Sequence, residues 1–113
     1  MRDRAHLELF AEGRVVIVPA GICSAALRTT APTGVVDFTR GGVVTVGDFF
    51  QAWRQPLSRT RLAGFRGRVR AYVSGERWPG DIRTIRLARN AQIVLELGPR
   101  VPPHRFFLFG ARR

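Results

Sequence analysis

The sequence predicts a single α+β, mainly β domain in which antiparallel hairpins form a twisted sheet or small sandwich with one short helix at about 45–54. Three observations carry that expectation. Apolar residues recur with period two or in short continuous runs, Gly and Pro interrupt them about every eight to twelve residues, and only one stretch has aromatic residues at helical spacing. Residues 1–98 hold all of these signals, and 99–113 read as a Pro-rich, aromatic tail.

The first strand is predicted at His6 to Phe10, where Leu7 and Leu9 share a face. After a turn at Glu12-Gly13, the run Val15-Val16-Ile17-Val18 reads as its buried hairpin partner, closed by Pro19. Two further extended segments, Leu27 to Thr30 and Val35 to Phe38, flank Ala31-Pro32-Thr33-Gly34, in which proline presets one dihedral and glycine tolerates positive φ. Thr45-Val46-Gly47-Asp48 has the form of a capping box, with Asp48 where the helix dipole favours an anion. Phe49, Phe50 and Trp53 follow at helical spacing until Pro56 stops the run, so the helix has two to three turns and needs packing to persist.

Residues 68–73 alternate strictly, with Val69, Ala71 and Val73 expected inward and Arg68, Arg70 and Tyr72 outward, before a turn at Ser74-Gly75-Glu76. Ile82, Ile85 and Leu87 mark a short irregular or extended piece, and Gln92 to Leu97 is the last clear strand, ended by Gly98 and Pro99. In the tail, Phe106-Phe107-Leu108-Phe109 reads either as a final edge strand or as an apolar patch awaiting a partner.

Charge is the loudest compositional feature. All 19 basic residues are arginine, only 8 residues are acidic, and the formal net charge is +11. Such a balance favours phosphate, an anionic membrane surface or an acidic protein partner, although arginine without lysine also fits the codon bias of a GC-rich genome. An apolar fraction of 45% with eight phenylalanines excludes a disordered polycation. The single cysteine, Cys23, forms no internal disulfide, so the fold does not depend on an oxidising compartment. Met1-Arg2-Asp3-Arg4-Ala5-His6 leads into no apolar stretch of seven or more residues. The chain as written is therefore expected to be cytoplasmic with no transmembrane segment, and extracytoplasmic if it is an excised domain.

Enzyme signatures are missing. Nucleophilic catalysis would want Cys23 or a serine beside a histidine, yet only His6 and His104 are present, with no nucleophile elbow or Gly-rich phosphate loop. Paired carboxylates such as Asp37 and Asp48 would need the fold to bring them together, and a motif-free pocket enzyme of isomerase or cyclase type stays as a third reading. No cofactor is implied.

Several blocks carry a family resemblance. They are Ala5-His6-Leu7 before Glu12-Gly13, Val18-Pro19-Ala20-Gly21-Ile22, Thr45-Val46-Gly47-Asp48-Phe49-Phe50-Gln51-Ala52-Trp53, Gln55-Pro56-Leu57, Gly80-Asp81-Ile82-Arg83 and Ala91-Gln92-Ile93-Val94-Leu95-Glu96-Leu97-Gly98. Over nearly its full length the chain resembles an uncharacterised family of small bacterial domains, mostly extracytoplasmic and of actinobacterial type. Typical relatives carry a cluster of histidines with the cysteine, a set that resembles a copper or zinc site. The resemblance aligns Arg28 and Thr30 with two of those histidines, Asp37 with a third and Asn90 with a fourth. His6 and Cys23 remain, and two ligands do not complete a four-coordinate sphere, so no metal site is expected.

Two readings of the vacated positions stay open. In one, His6, Cys23, Arg28, Asp37 and Asn90 form a polar pocket for an anionic ligand, held by a guanidinium. In the other, Arg28 and Asp37 pair across the hairpin, Asn90 caps a turn, His6 lies on the surface and Cys23 is a small buried apolar side chain. A second candidate surface lies at residues 59–70, where Arg59, Arg61, Arg66, Arg68 and Arg70 occur with no acid and with Phe65 among them. Phosphate neutralisation plus an aromatic platform is the chemistry of single-stranded nucleic-acid binding, while the two glycines there read as a flexible loop.

Overall fold

The computed structural model of the chain describes residues 2–98. The expectations for 99–113 lie outside the described residues. The elements are β1 (Arg2–Ala11), β2 (Arg14–Val16), β3 (Leu27–Arg28), β4 (Val35–Thr39), α1 (Val46–Trp53), β5 (Leu57–Ser58), β6 (Arg61–Leu62), β7 (Phe65–Arg66), β8 (Val69–Val73), β9 (Glu76–Arg77), a 3-10 turn (Ile82–Thr84) and β10 (Gln92–Leu97). Mainly β with one α-helix is thus the observed class.

β1 organises the main sheet because it is long enough to take two partners along one edge. β4 pairs antiparallel with residues 2–6 and β2 with residues 9–11. Its other edge runs parallel to β10, from His6 opposite Gln92 to Ala11 opposite Leu97. The sheet reads β3-β4-β1-β10-β8-β9, with β2 attached to β1. It is therefore mixed, and the expected all-hairpin pattern is broken by this one parallel pair.

Alternation decides which face is core. Ala5, Leu7, Leu9 and Ala11 of β1 are at most 3% exposed. Ala5, Leu7 and Leu9 join Val36 and Phe38 of β4, Val69 and Ala71 of β8, and Ile93, Leu95 and Leu97 of β10 in one apolar cluster with Phe49 and Phe50 of α1. Phe49 and Phe50 meet edge to face at 5.6 Å, and both rings also pack on Trp53. The capping box forms as expected: Asp48 N–H donates to Thr45 Oγ1 at 3.1 Å and Thr45 N–H to Asp48 Oδ2 at 2.9 Å. Arg54 ends the helix in the left-handed conformation, before Pro56.

Three expectations are corrected. Val15 and Ile17 are 63% and 60% exposed, because β2 is a three-residue strand paired only with the end of β1; Val16 packs part-buried against the core and Val18 lies within it. Residues 59–70 are not a flexible loop. β5, β6 and β7 form a second, three-stranded antiparallel sheet, pinned by Leu57 and the fully buried Leu62, so two apolar side chains order an otherwise basic segment. Cys23 is exposed rather than buried, since it lies beyond β3 at the sheet margin, bridged through its backbone to the exposed Arg28.

Candidate anion-binding groove

β8 is bordered along one edge by two different chain segments, and the gap between them is a groove. At one end the two-residue turn Ser74-Gly75, with φ of 52° and 85°, folds β9 back so that Arg77 faces Tyr72 and Trp78 N–H donates to Ala71 O at 2.8 Å. At the other end Val69 N–H donates to Arg59 O at 2.9 Å and Gly67 N–H to Thr60 O at 3.0 Å. Gly67 has φ 150°, and a Cβ there would lie 3.0 Å from Leu97 Cδ2, so only glycine lets this arm lie so close to β10. The open space between the arms is about 1170 Å³.

Arg59, Arg68, Arg70, Arg77 and Arg83 line it, and Asp81 is the only acid among the lining residues. The wall at 78–84 is tied together by its own hydrogen bonds. Trp78 Nε1–H donates to Asp81 O at 3.1 Å, Thr84 Oγ1–H to the same carbonyl at 2.6 Å, and Arg83 N–H to Asp81 Oδ1 at 3.0 Å. Arg83 also grips the Asp81 carboxylate from its side chain, Nη2 to Oδ2 at 3.0 Å. These hydrogen bonds hold the Asp81 carboxyl below the usual carboxylate range, and the charge of Arg59 adds to the effect. Arg70 is committed to Glu96 at 3.0 Å and to Gly98 O at 2.8 Å. Arg59, Arg68 and Arg77 form no ion pair among the described residues.

The second sheet extends the positive charge away from the groove. Ser58, which lines the groove, stands opposite Arg61 on β6, and Arg61 stands opposite Arg66 on β7. Two like charges directly opposite are unfavourable, and Arg61 Nε is buried without a hydrogen-bond partner. Phe65 falls in the alternate row with Leu57 and Leu62, hence on the opposite face of this small sheet from Arg66. The expected basic segment is thus divided: Arg59, Arg68 and Arg70 line the groove, Arg61 and Arg66 continue it, and Phe65 does not join them.

The vacated positions come together differently. Cys23 bridges to Arg28, Arg28 pairs with Asp37, Asp37 pairs with Arg4, and Asn90 N–H donates to Arg4 O at 2.7 Å. Asp37 forms ion pairs on two sides, its Oδ1 3.4 Å from Arg4 Nε and its Oδ2 3.8 Å from Arg28 Nε. Asn90 adopts φ 60° at a turn. His6 lies on the same face, two residues along β1 from Arg4, but is only 6% exposed, with Nε2 3.0 Å from Thr33 O. Its burial corrects the surface placement, because the 31–34 turn folds over the ring. The cross-hairpin pairing of Arg28 with Asp37 is present, and Arg28 shares that one carboxylate with Arg4. Among the described residues no group of three His, Cys, Asp or Glu is placed to hold a metal ion.

Arg77, Trp78, Asp81 and Arg83 are lining residues that sequence reasoning assigned to no site. The signal was the Ser74-Gly75 turn, which sets the register that returns Arg77 beside Tyr72. Comparison with family models, curated proteins and solved structures finds no match for this chain. No helix among the described residues is long and apolar enough to cross a membrane.

Proposed function

We propose that this chain is a non-catalytic binding domain that takes an anionic ligand in the arginine-lined groove at the edge of β8. One observation carries the reading: five arginines share one open groove with a single acid, and that acid is already held by Arg83. Guanidinium groups match phosphate or carboxylate oxygens bidentately, so the three without ion pairs supply the donors. On this reading the scaffold has lost the metal site of the family it resembles, and its working surface lies elsewhere. The vacated positions offer less, since Arg28 and Arg4 already share Asp37.

Calorimetric titration with inorganic pyrophosphate at low salt tests this. Charged hydrogen bonds contribute about 1.5–3 kcal/mol each, so Arg68→Ala with Arg77→Ala, which removes two of them, is expected to weaken binding by about 100-fold or more. A second variant, Arg2→Ala with Arg14→Ala, removes the same charge from exposed positions outside the groove. Equal loss in both variants, or no binding by the parent protein, overturns the proposal.

A further inference from the structure

We infer that the ligand of this groove is the sugar-phosphate backbone of a single-stranded nucleic acid, engaged without base-specific contacts. The inference rests on the anion-binding reading above and names its ligand class.

The size of the site is the first argument. A groove of about 1170 Å³ is larger than the ~300–1,000 Å³ of ordinary small-molecule sites, and it is open rather than enclosed. A single phosphate or carboxylate would leave most of its arginines unused. Continuity is the second. The positive charge does not stop at the groove but passes through Ser58 to Arg61 and Arg66 on successive strands. Neighbouring strands lie about 4.8 Å apart, so this row lengthens the track by roughly 10 Å. A chain of regularly spaced phosphates fits such a track, and it would relieve the like-charge opposition of Arg61 and Arg66.

The chemistry of the lining is the third. Its cationic donors are all guanidinium groups, whose contacts to phosphate position a backbone and carry no sequence information. Trp78, part-buried against the core, adds to the same lining an aromatic side chain of the kind on which bases stack. The groove is concave, bounded by the arm at 58–60 and the wall at 77–83, so a single strand enters it where a duplex would touch only the rim.

Fluorescence anisotropy with a labelled 12-nucleotide single strand tests this. Taking Arg59, Arg61, Arg66, Arg68 and Arg77 as phosphate contacts, the slope of log K against log salt should be about −3.5, at about −0.7 per phosphate. Affinity then falls by about 100-fold between 50 and 200 mM salt. Arg68→Ala with Arg77→Ala should reduce the slope to about −2, while Arg2→Ala with Arg14→Ala should leave it near −3.5. Single strands of different sequence should bind alike, and a duplex of the same length more weakly. Equal affinity for the duplex, competition by a poly-glutamate of matched charge as effective as by the single strand, or equal loss in both variants overturns the inference. If pyrophosphate binds through Arg68 and Arg77 while the oligonucleotide binds no more tightly, this inference fails and the anion-binding reading stands; if neither ligand binds, both fail.

Discussion

Arg70 and Glu96 face each other across β8 and β10, and Arg70 Nη2 donates both to Glu96 Oε1 at 3.0 Å and to Gly98 O at 2.8 Å. The Glu96 side chain is 5% exposed and that of Arg70 17%. Burial alone would lower the pKa of the Arg70 guanidinium, but hydrogen bonds to Glu96 and Tyr72 outweigh it and raise the pKa. Glu96→Ala leaves a largely buried cation with no carboxylate partner, only Gly98 O and Tyr72, and should cost about 3 kcal/mol, the lower end for a buried pair broken on one side. Arg70→Met with Glu96→Leu should recover most of that loss. Urea denaturation of the three proteins measures it, and a loss under about 1 kcal/mol for Glu96→Ala would mean that the pair is solvated.

The reciprocal cap on α1 makes a second prediction. Thr45 Oγ1 and the Asp48 carboxylate each satisfy the other residue's backbone N–H, and a helix of eight residues depends on such caps and on packing. Thr45→Ala should destabilise the fold by about 1 kcal/mol. Asp48→Ala should cost a similar amount. Because the two bonds share one geometry, the double variant should lose less than the sum of the singles in chemical denaturation.

Those capping residues were legible in the sequence for the same reason that β8 and β10 were: each is a local pattern with its own period or spacing. The strict alternation of 69–73 and the apolar run of 92–97 need no distant information to be read as strands. Local patterns do not say what pairs with what. The parallel pairing of His6 with Gln92 joins opposite ends of the described chain, and neither segment names its partner. β5, β6 and β7 are two residues each, too short for any period, and only the burial of Leu62 in three dimensions reveals them. The groove fell between these cases. Arg59, Arg68 and Arg70 stand out as a charge run, whereas Arg77 joins them through a turn and Trp78 through a backbone hydrogen bond to Ala71.

Gly34 supplies a prediction with an internal control. It lies at φ +81°, and a Cβ there would collide with the Leu7 carbonyl oxygen and come within 3.2 Å of His6 Nε2. Gly21 has a similar φ of +87°, yet a Cβ added to it would meet nothing within 4 Å. Gly21→Ala should therefore cost only the left-handed backbone strain, roughly 1–2 kcal/mol. Gly34→Ala should cost distinctly more, since the backbone of β1 must move, and thermal denaturation should rank the two in that order.

Asp81 gives the pH dependence. Its hydrogen bonds with Arg83 lower the folded-state pKa below that of the unfolded chain, so the unfolded state takes up a proton first as acid is added. The contribution of this carboxylate to stability is whole above the unfolded value, about 3.9, and is lost as the pH falls through the depressed folded value. Asp81→Asn should remove that part of the acid limb of the stability curve. The same substitution changes the groove at neutral pH, because it deletes the only lining acid and frees the Arg83 side chain. Pyrophosphate should then bind several-fold more tightly to Asp81→Asn than to the parent protein, and the gain should shrink as salt is raised. Unchanged or weaker binding would mean that Asp81 supports the ligand by positioning Arg83, rather than opposing it by charge.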